Sequence, residues 1–119
     1  MYYVKQKKNI FLFDGSGLEL RSWMHIRDAI NIIKLLIFKF SKKKILNAPG
    51  KDVFTNKHVI SEIYKYLKIK NMPVFNNIKR KGDPKILIYS NQDLKKLKWK
   101  QTIPFSIGLK RYIKWFKKL

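Results

Sequence analysis

Asp28 is followed by twelve residues, Ala29–Phe40, of which only Asn31, Lys34 and Lys39 are polar. A helix with so few polar positions has no water-facing side of its own, so the rest of the chain must fold around it. Asp28 suits the N-cap of such a helix, because a short carboxylate can accept from the orphan N–H groups of the first turn. The expectation is a largely buried helix of about three turns, ended by Lys42–Lys44. No apolar run reaches the ~18 residues of a membrane span. The chain therefore reads as globular, and its 119 residues suit one domain covering 1–119.

Short apolar segments flank this run. Ile10–Phe13 is closed by Asp14-Gly15-Ser16-Gly17, a strong turn signal, and Leu18–Ile26 reads as a second extended segment. The two could pair as a hairpin with a four-residue loop. Ile45–Ala48 is short enough for a buried strand, stopped by Pro49-Gly50. Thr55 can cap a second helix whose Val59, Ile60, Ile63, Tyr64 and Leu67 form one stripe. Met72–Ile78 and Ile86–Tyr89 read as strands on either side of the Arg80–Pro84 loop. A short helix starts near Asn91 or Asp93. A last helix follows Pro104, with Phe105, Leu109, Ile113 and Phe116 inward and Lys110, Lys114, Lys117 and Lys118 outward. Short strands alternating with three to four helices make the class α/β.

The charge is lopsided: 28 Lys and Arg against 7 Asp and Glu, a formal +21. Yet 24 of the cations are Lys and 16 residues are Ile, a bias that an AT-rich coding sequence produces on solvated surfaces. A phosphate-gripping protein would spend more Arg, whose planar fork binds phosphate bidentately. Apolar residues at 45% and aromatics at 14% exclude a disordered polycation. The start, MYYVKQKKNIFLF, has a lysine-broken apolar stretch and no small-residue cleavage site, so no signal peptide is expected. The absence of cysteine excludes disulfides and zinc–thiolate sites and fits a cytoplasmic location.

Catalytic constellations are nearly empty. His25 and His58 lie in different segments with no nucleophile spelled beside them, and the carboxylates show no metal-ligand spacing. No GxGxxG and no P-loop is present. A YxxxK spelling occurs twice, at Tyr3…Lys7 and Tyr64…Lys68. Six tyrosines in a chain with 24 lysines give about one match by chance, so both read as accidental. No catalytic, metal-binding or cofactor-binding residue is assigned.

The arginines say more. Where composition pushes Arg toward Lys, the four that remain, at 21, 27, 80 and 111, mark places where a point charge is insufficient. Arg21 follows the glycine turn. Arg80 lies in Arg80-Lys81-Gly82-Asp83-Pro84, where Gly82 permits a tight backbone and Asp83 can accept hydrogen bonds. Two guanidinium forks converging on one cleft would suit a diphosphate; two unrelated surface ion pairs would give the same spelling.

Gly15 to Asp28 resembles the G-x-x-x-R-x-[FW]-[IV]-[HY]-V-x-D segment of the extended short-chain dehydrogenases/reductases, the NAD-dependent epimerase/dehydratase family acting on nucleotide sugars. The likeness continues in order. Ile45–Gly50 resembles the family's N-[IV]-G-x-G strand and turn, and Thr55 with Glu62-Ile63 its S/T…E-[IL] helix. Arg80–Asp83 resembles the R-x-G-D loop, Asn91–Trp99 the helix ending in L-G-W, and Ile103–Trp115 the closing helix. The resemblance implies that Arg21, Arg80 and Asp83 hold the nucleotide diphosphate and ribose, that Asp28 is a helix cap, and that His25 is supportive.

The departures are as informative. The NAD fingerprint, the catalytic Ser/Thr and a usable YxxxK dyad are not in these residues. Pro49 and Lys98 stand where the pattern has glycine. The resemblance thus implies the small C-terminal, substrate-binding portion of the family, with no complete Rossmann sheet and no turnover on its own. It would be a truncated or split member whose ligand is a nucleotide-sugar diphosphate. NAD, expected in the full-length family, would either come with a separately encoded Rossmann-domain chain that this one complements, or be lost altogether, the chain being a remnant. The rival reading is a small basic protein binding nucleic acid or an anionic membrane surface. It rests on the last helix, where Tyr112, Trp115 and Phe116 interleave with Lys110, Arg111, Lys114, Lys117 and Lys118.

Overall fold

A computed structural model describes residues 11–38 and 45–119. The described elements run β1 (Leu12–Phe13), β2 (Leu20–Trp23), α1 (Ile26–Phe38), β3 (Asp52–Thr55), α2 (Asn56–Leu67), β4 (Val74–Phe75), β5 (Ile86–Leu87), α3 (Gln92–Lys96) and α4 (Phe105–Phe116). The class is α/β, with four helices and no complete Rossmann sheet among the described residues. They form two compact units, each discontinuous in sequence: 11–21 with 54–87, and 22–38 with 45–53 and 88–119.

In the first unit, β1 pairs in parallel with β4, Leu12 opposite Val74 and Phe13 opposite Phe75. The expected hairpin between the first two extended segments does not form. Gly15 and Gly17 take φ of 90° and 77°, and Glu19 folds back on the turn instead of letting the chain reverse. β2 joins a different sheet, in the order β3-β2-β5, with Leu20 opposite Ile86 and Arg21 opposite Leu87, again parallel. The two strands flanking the Arg80–Pro84 loop therefore belong to separate sheets. Each is shorter than its apolar run, with only Val74–Phe75 paired in β4 and Ile86–Leu87 in β5.

Helix α2 fulfils its pattern. Thr55 is the N-cap, its Oγ1 accepting from the His58 N–H at 3.2 Å. Val59 and Tyr64 are buried. The Tyr64 ring lies 6.3 Å from those of Phe11 and Phe13, and Phe13 lies 5.6 Å from Phe75. Gly17 enters this aromatic cluster because a Cβ there would come within 2.7 Å of the Phe75 ring.

The second unit buries Ile32, Leu94, Leu109 and Ile113. Leu109 and Ile113 belong to the inward stripe expected of α4, whose lysines 110, 114, 117 and 118 are exposed. Asp28 is not an N-cap. It lies in the first turn of α1, fully buried, and its carboxylate reaches away from its own helix. Oδ1 accepts from the Thr102 N–H (3.1 Å) and hydroxyl (2.6 Å), and Oδ2 from the Ile103 N–H (2.9 Å). Burial pushes its pKa up, but these donors outweigh that and hold it below the usual carboxylate range. Asp52 works on the same segment, its Oδ2 accepting from Gln101 Nε2 and from the Phe105 N–H, each at 2.8 Å. Two carboxylates thus pin the entry of α4.

Two further expectations fail here. Helix α1 is not largely buried: only Asp28 and Ile32 are, and most of its isoleucines face outward. Its expected end at Lys42–Lys44 lies outside the described residues. Ile45–Ala48 forms no strand, and Ile45 is 82% exposed. A strand needs its backbone groups paired along a partner edge, and this segment pairs with no strand among the described residues. The strand nearby is β3, which the sequence patterns do not signal.

Candidate functional site

The three residues singled out as binding groups, Arg21, Arg80 and Asp83, all lie in the first unit. Parallel pairing of β2 with β5 brings Arg21 alongside the end of the Arg80–Pro84 loop, since the Leu20 N–H donates to the Lys85 carbonyl at 2.9 Å. Arg21 then donates from Nη2 to Asp83 Oδ1 at 2.7 Å and from Nη1 to the Leu20 carbonyl at 2.9 Å. Its side chain is only 19% exposed, so the guanidinium is held between two fixed acceptors.

Arg80 is anchored from the other end of the same turn. The Asp83 N–H donates to the Arg80 carbonyl at 3.2 Å, closing the turn, with Gly82 at φ 85°. The Arg80 guanidinium donates to Asp14 Oδ2. That hydrogen bond, with one from Asn76 Nδ2 at 2.7 Å, holds the Asp14 carboxyl below its ordinary range. One four-residue turn therefore connects both arginines: Arg21 through Asp83, and Arg80 directly. Each guanidinium already has a carboxylate. The exposed Lys79, Lys81 and Lys85 on the same loop leave the neighbourhood with a cationic excess.

Asp14 and Asn76 were not signalled by any motif. Asn76 knits the site: its Oδ1 accepts from Gly15 N–H (3.2 Å) and Ile78 N–H (2.8 Å), while its own N–H donates to the Phe13 carbonyl at 3.0 Å. An asparagine after a short strand is too common a turn residue for its sequence position to reveal this.

The glycine turn is no phosphate cradle. Three of its N–H groups are already used, Gly15 on Asn76, Ser16 on Glu19 Oε1 at 2.9 Å, and Leu18 on Ser16 Oγ at 3.1 Å. The Glu19 carboxylate beside it is held at a pKa of about 2, chiefly by the Ser16 N–H. An anion there would meet a negative charge. The turn does not fit NAD, whose pyrophosphate needs free N–H donors at a helix start, because it leads into β2 rather than into a helix.

No family model and no curated protein matches the sequence. Solved structures do. A UDP-glucose 4-epimerase from Thermotoga maritima, solved with UDP-glucose, matches with a TM-score of 0.82 at 21% identity, over 92% of this chain and 35% of that one. A UDP-glucuronic acid 4-epimerase from Bacillus cereus, solved with a fluorinated UDP-sugar and NAD, matches at 0.82 and 19%, over 98% and 37%. A dTDP-glucose 4,6-dehydratase from Streptomyces venezuelae, solved with NAD, matches at 0.79 and 20%, over 92% and 34%. The fold is that of part of an extended short-chain dehydrogenase/reductase. The chain spans about a third of the length of these structures.

The remaining candidates find packing roles within this dehydrogenase/reductase fold. His25 Nδ1 accepts from the Arg27 N–H at 3.2 Å, and its ring lies against Gly108, where an added Cβ would come within 3.1 Å. His58 stacks on Phe54, centroids 4.6 Å apart. The Tyr64 hydroxyl is buried without a hydrogen-bond partner among the described residues, and burial pushes its pKa up, the opposite of what a proton shuttle paired with Lys68 requires. The Tyr3…Lys7 pair lies outside the described residues. Among the described residues, no three His, Cys, Asp or Glu are grouped to hold a metal ion, and no helix is long and apolar enough to cross a membrane.

Proposed function

We propose that the first unit carries the diphosphate-binding side of a nucleotide-sugar site. Arg21 and Arg80 take the phosphate oxygens, and Asp83, while steadying Arg21, accepts from a ribose or sugar hydroxyl. The observation that carries this reading is the Arg21–Asp83 pair at 2.7 Å on the turn that also bears Arg80. Convergence on one turn is what a diphosphate needs and what two unrelated surface pairs do not. An incoming diphosphate exchanges Asp14 for a phosphate at Arg80, a swap that costs little because that ion pair is open to water. The fold supports the reading, since the matched structures from Thermotoga and Bacillus hold UDP-sugars. NAD is held by protein outside these 119 residues, and turnover requires that protein.

Calorimetric titration tests the assignment. UDP and UDP-glucose bind, whereas uridine and inorganic pyrophosphate bind at least about tenfold more weakly. R21K and R80K each cost about tenfold, because lysine keeps the charge but loses the fork. Equal affinity for uridine, or wild-type affinity in both variants, overturns the reading.

One observation favours the rival. On α4 the exposed Tyr112 and Trp115 rings lie 5.5 Å apart beside exposed Lys110, Arg111 and Lys114. Such a face could stack bases against a cationic rail. Titration of oligo-dT at two salt concentrations separates the two. Polyanion binding falls steeply with salt and is insensitive to R21K.

A further inference from the structure

The outer face of α1 takes no part in the site above. Ile26, Ile30, Ile33 and Ile37 follow one another at steps of four, three and four residues, which places all four along one narrow strip of the helix. They are between 42% and 71% exposed, over a strip about 16 Å long. The opposite side of the helix holds the buried Asp28 and Ile32. Isoleucine left in water forgoes the gain of burial, and contiguous exposed apolar surface marks an interaction site.

Charge selects the occupant. Arg27, one of only four arginines, and Lys34 run along one edge of the strip, both exposed. Neither has an ion-pair partner among the described residues. Six of the seven carboxylates are engaged elsewhere: Asp83 and Asp14 on Arg21 and Arg80, Glu62 on Lys65, Glu19 on its own turn, and Asp28 and Asp52 on the segment entering α4. A second copy would bring another +21 against this one, and long-range repulsion opposes that pairing.

We propose that the α1 strip docks an NAD-binding half of a nucleotide-sugar enzyme. The partner face is apolar at its centre and bears carboxylates along the edge that meets Arg27 and Lys34. This rests on the reading under Proposed function. It draws on two further facts: the matched structures leave about two thirds of their length uncovered, and the glycine turn here leads into β2 rather than into a helix whose start could hold the pyrophosphate of NAD. The uncovered part must meet this part somewhere. The α1 strip offers what such a meeting needs, apolar area with cations on its rim that have no ion-pair partner among the described residues.

The test places a benzophenone amino acid at position 33 in the full chain, expressed in its source cells, irradiated, and analysed by mass spectrometry. The expected result is an adduct with a polypeptide segment that carries a glycine-rich NAD fingerprint. The double variant R27E/K34E lowers its yield by about tenfold, and I30S/I37S does the same. Circular dichroism checks that these surface variants fold. Adducts only with a second copy, adducts only with proteins lacking the fingerprint, no adduct, or a yield unmoved by R27E/K34E each overturn the docking. UDP titration of R27E/K34E keeps the two ideas apart. Docking lost with UDP binding intact supports the strip as a separate surface, whereas an intact adduct in a chain that never binds UDP removes the nucleotide-sugar reading alone.

Discussion

Lys68 and Lys98 both sit at φ 58°, in the left-handed region that favours glycine. Each terminates a helix by the same pair of hydrogen bonds. Lys68 and Ile69 donate to the carbonyls of Lys65 and Tyr64, and Lys98 and Trp99 to those of Lys95 and Leu94. This is the Schellman arrangement. A lysine can hold that seat, but its Cβ is strained there. K98G is therefore expected to raise stability by about 0.5–1 kcal/mol in urea denaturation; a loss of stability would show that the lysine side chain contributes more than its backbone costs. Lys98 is also where the family resemblance calls for glycine, so the departure seen in the sequence leaves the cap geometry intact.

The link from β1 to β2 depends on Glu19. Its Oε1 accepts from both the N–H and the hydroxyl of Ser16, and its Oε2 from Asn56 Nδ2 at 3.4 Å, so it ties the turn to the start of α2. Its folded pKa of about 2 lies below the ordinary value of 4.5. A depressed carboxylate contributes its full stability above pH 4.5 and loses it as pH falls toward 2. In E19Q the neutral amide keeps one acceptor but no charge. The variant is expected to lose about 1 kcal/mol at pH 7 and to show a flatter fall in stability between pH 4.5 and 2 than the parent. An unchanged acid limb would mean the carboxylate is not what holds the turn. The same residue explains why the hairpin suggested by the Asp14–Gly17 signal is absent. A turn signal states that the chain bends, whereas strand pairing depends on which distant edge satisfies the freed backbone groups.

Across the whole chain the dominant quantity is the +21 charge, with few carboxylates to offset it. Self-repulsion of that size is screened by salt, with a Debye length near 10 Å at 0.1 M. The thermal midpoint is therefore expected to rise by a few degrees between about 0.02 and 0.3 M sodium chloride. A fall on adding salt would mean that the ion pairs at Arg21 and Arg80, weak as exposed pairs are, outweigh the repulsion. The two arginines were legible in the sequence because composition had made Arg scarce. Asp14 was legible only as part of a turn and Asn76 not at all, because each finds its role through a partner more than 60 residues away.

Local patterns were enough to read the α/β class, the Thr55 cap, the inward stripe of α4 and the short helix after Asn91, since each depends on residues within a turn or two of one another. Tertiary packing settled what depends on distant partners. Asp28 gave up a capping role to pin Thr102 and Ile103, β1 turned to β4, and Ile45–Ala48 stayed out of any described strand. The physical reason is common to all three. A buried carboxylate or a free backbone edge goes to whichever donors and acceptors satisfy it best, and those lie far away in the chain.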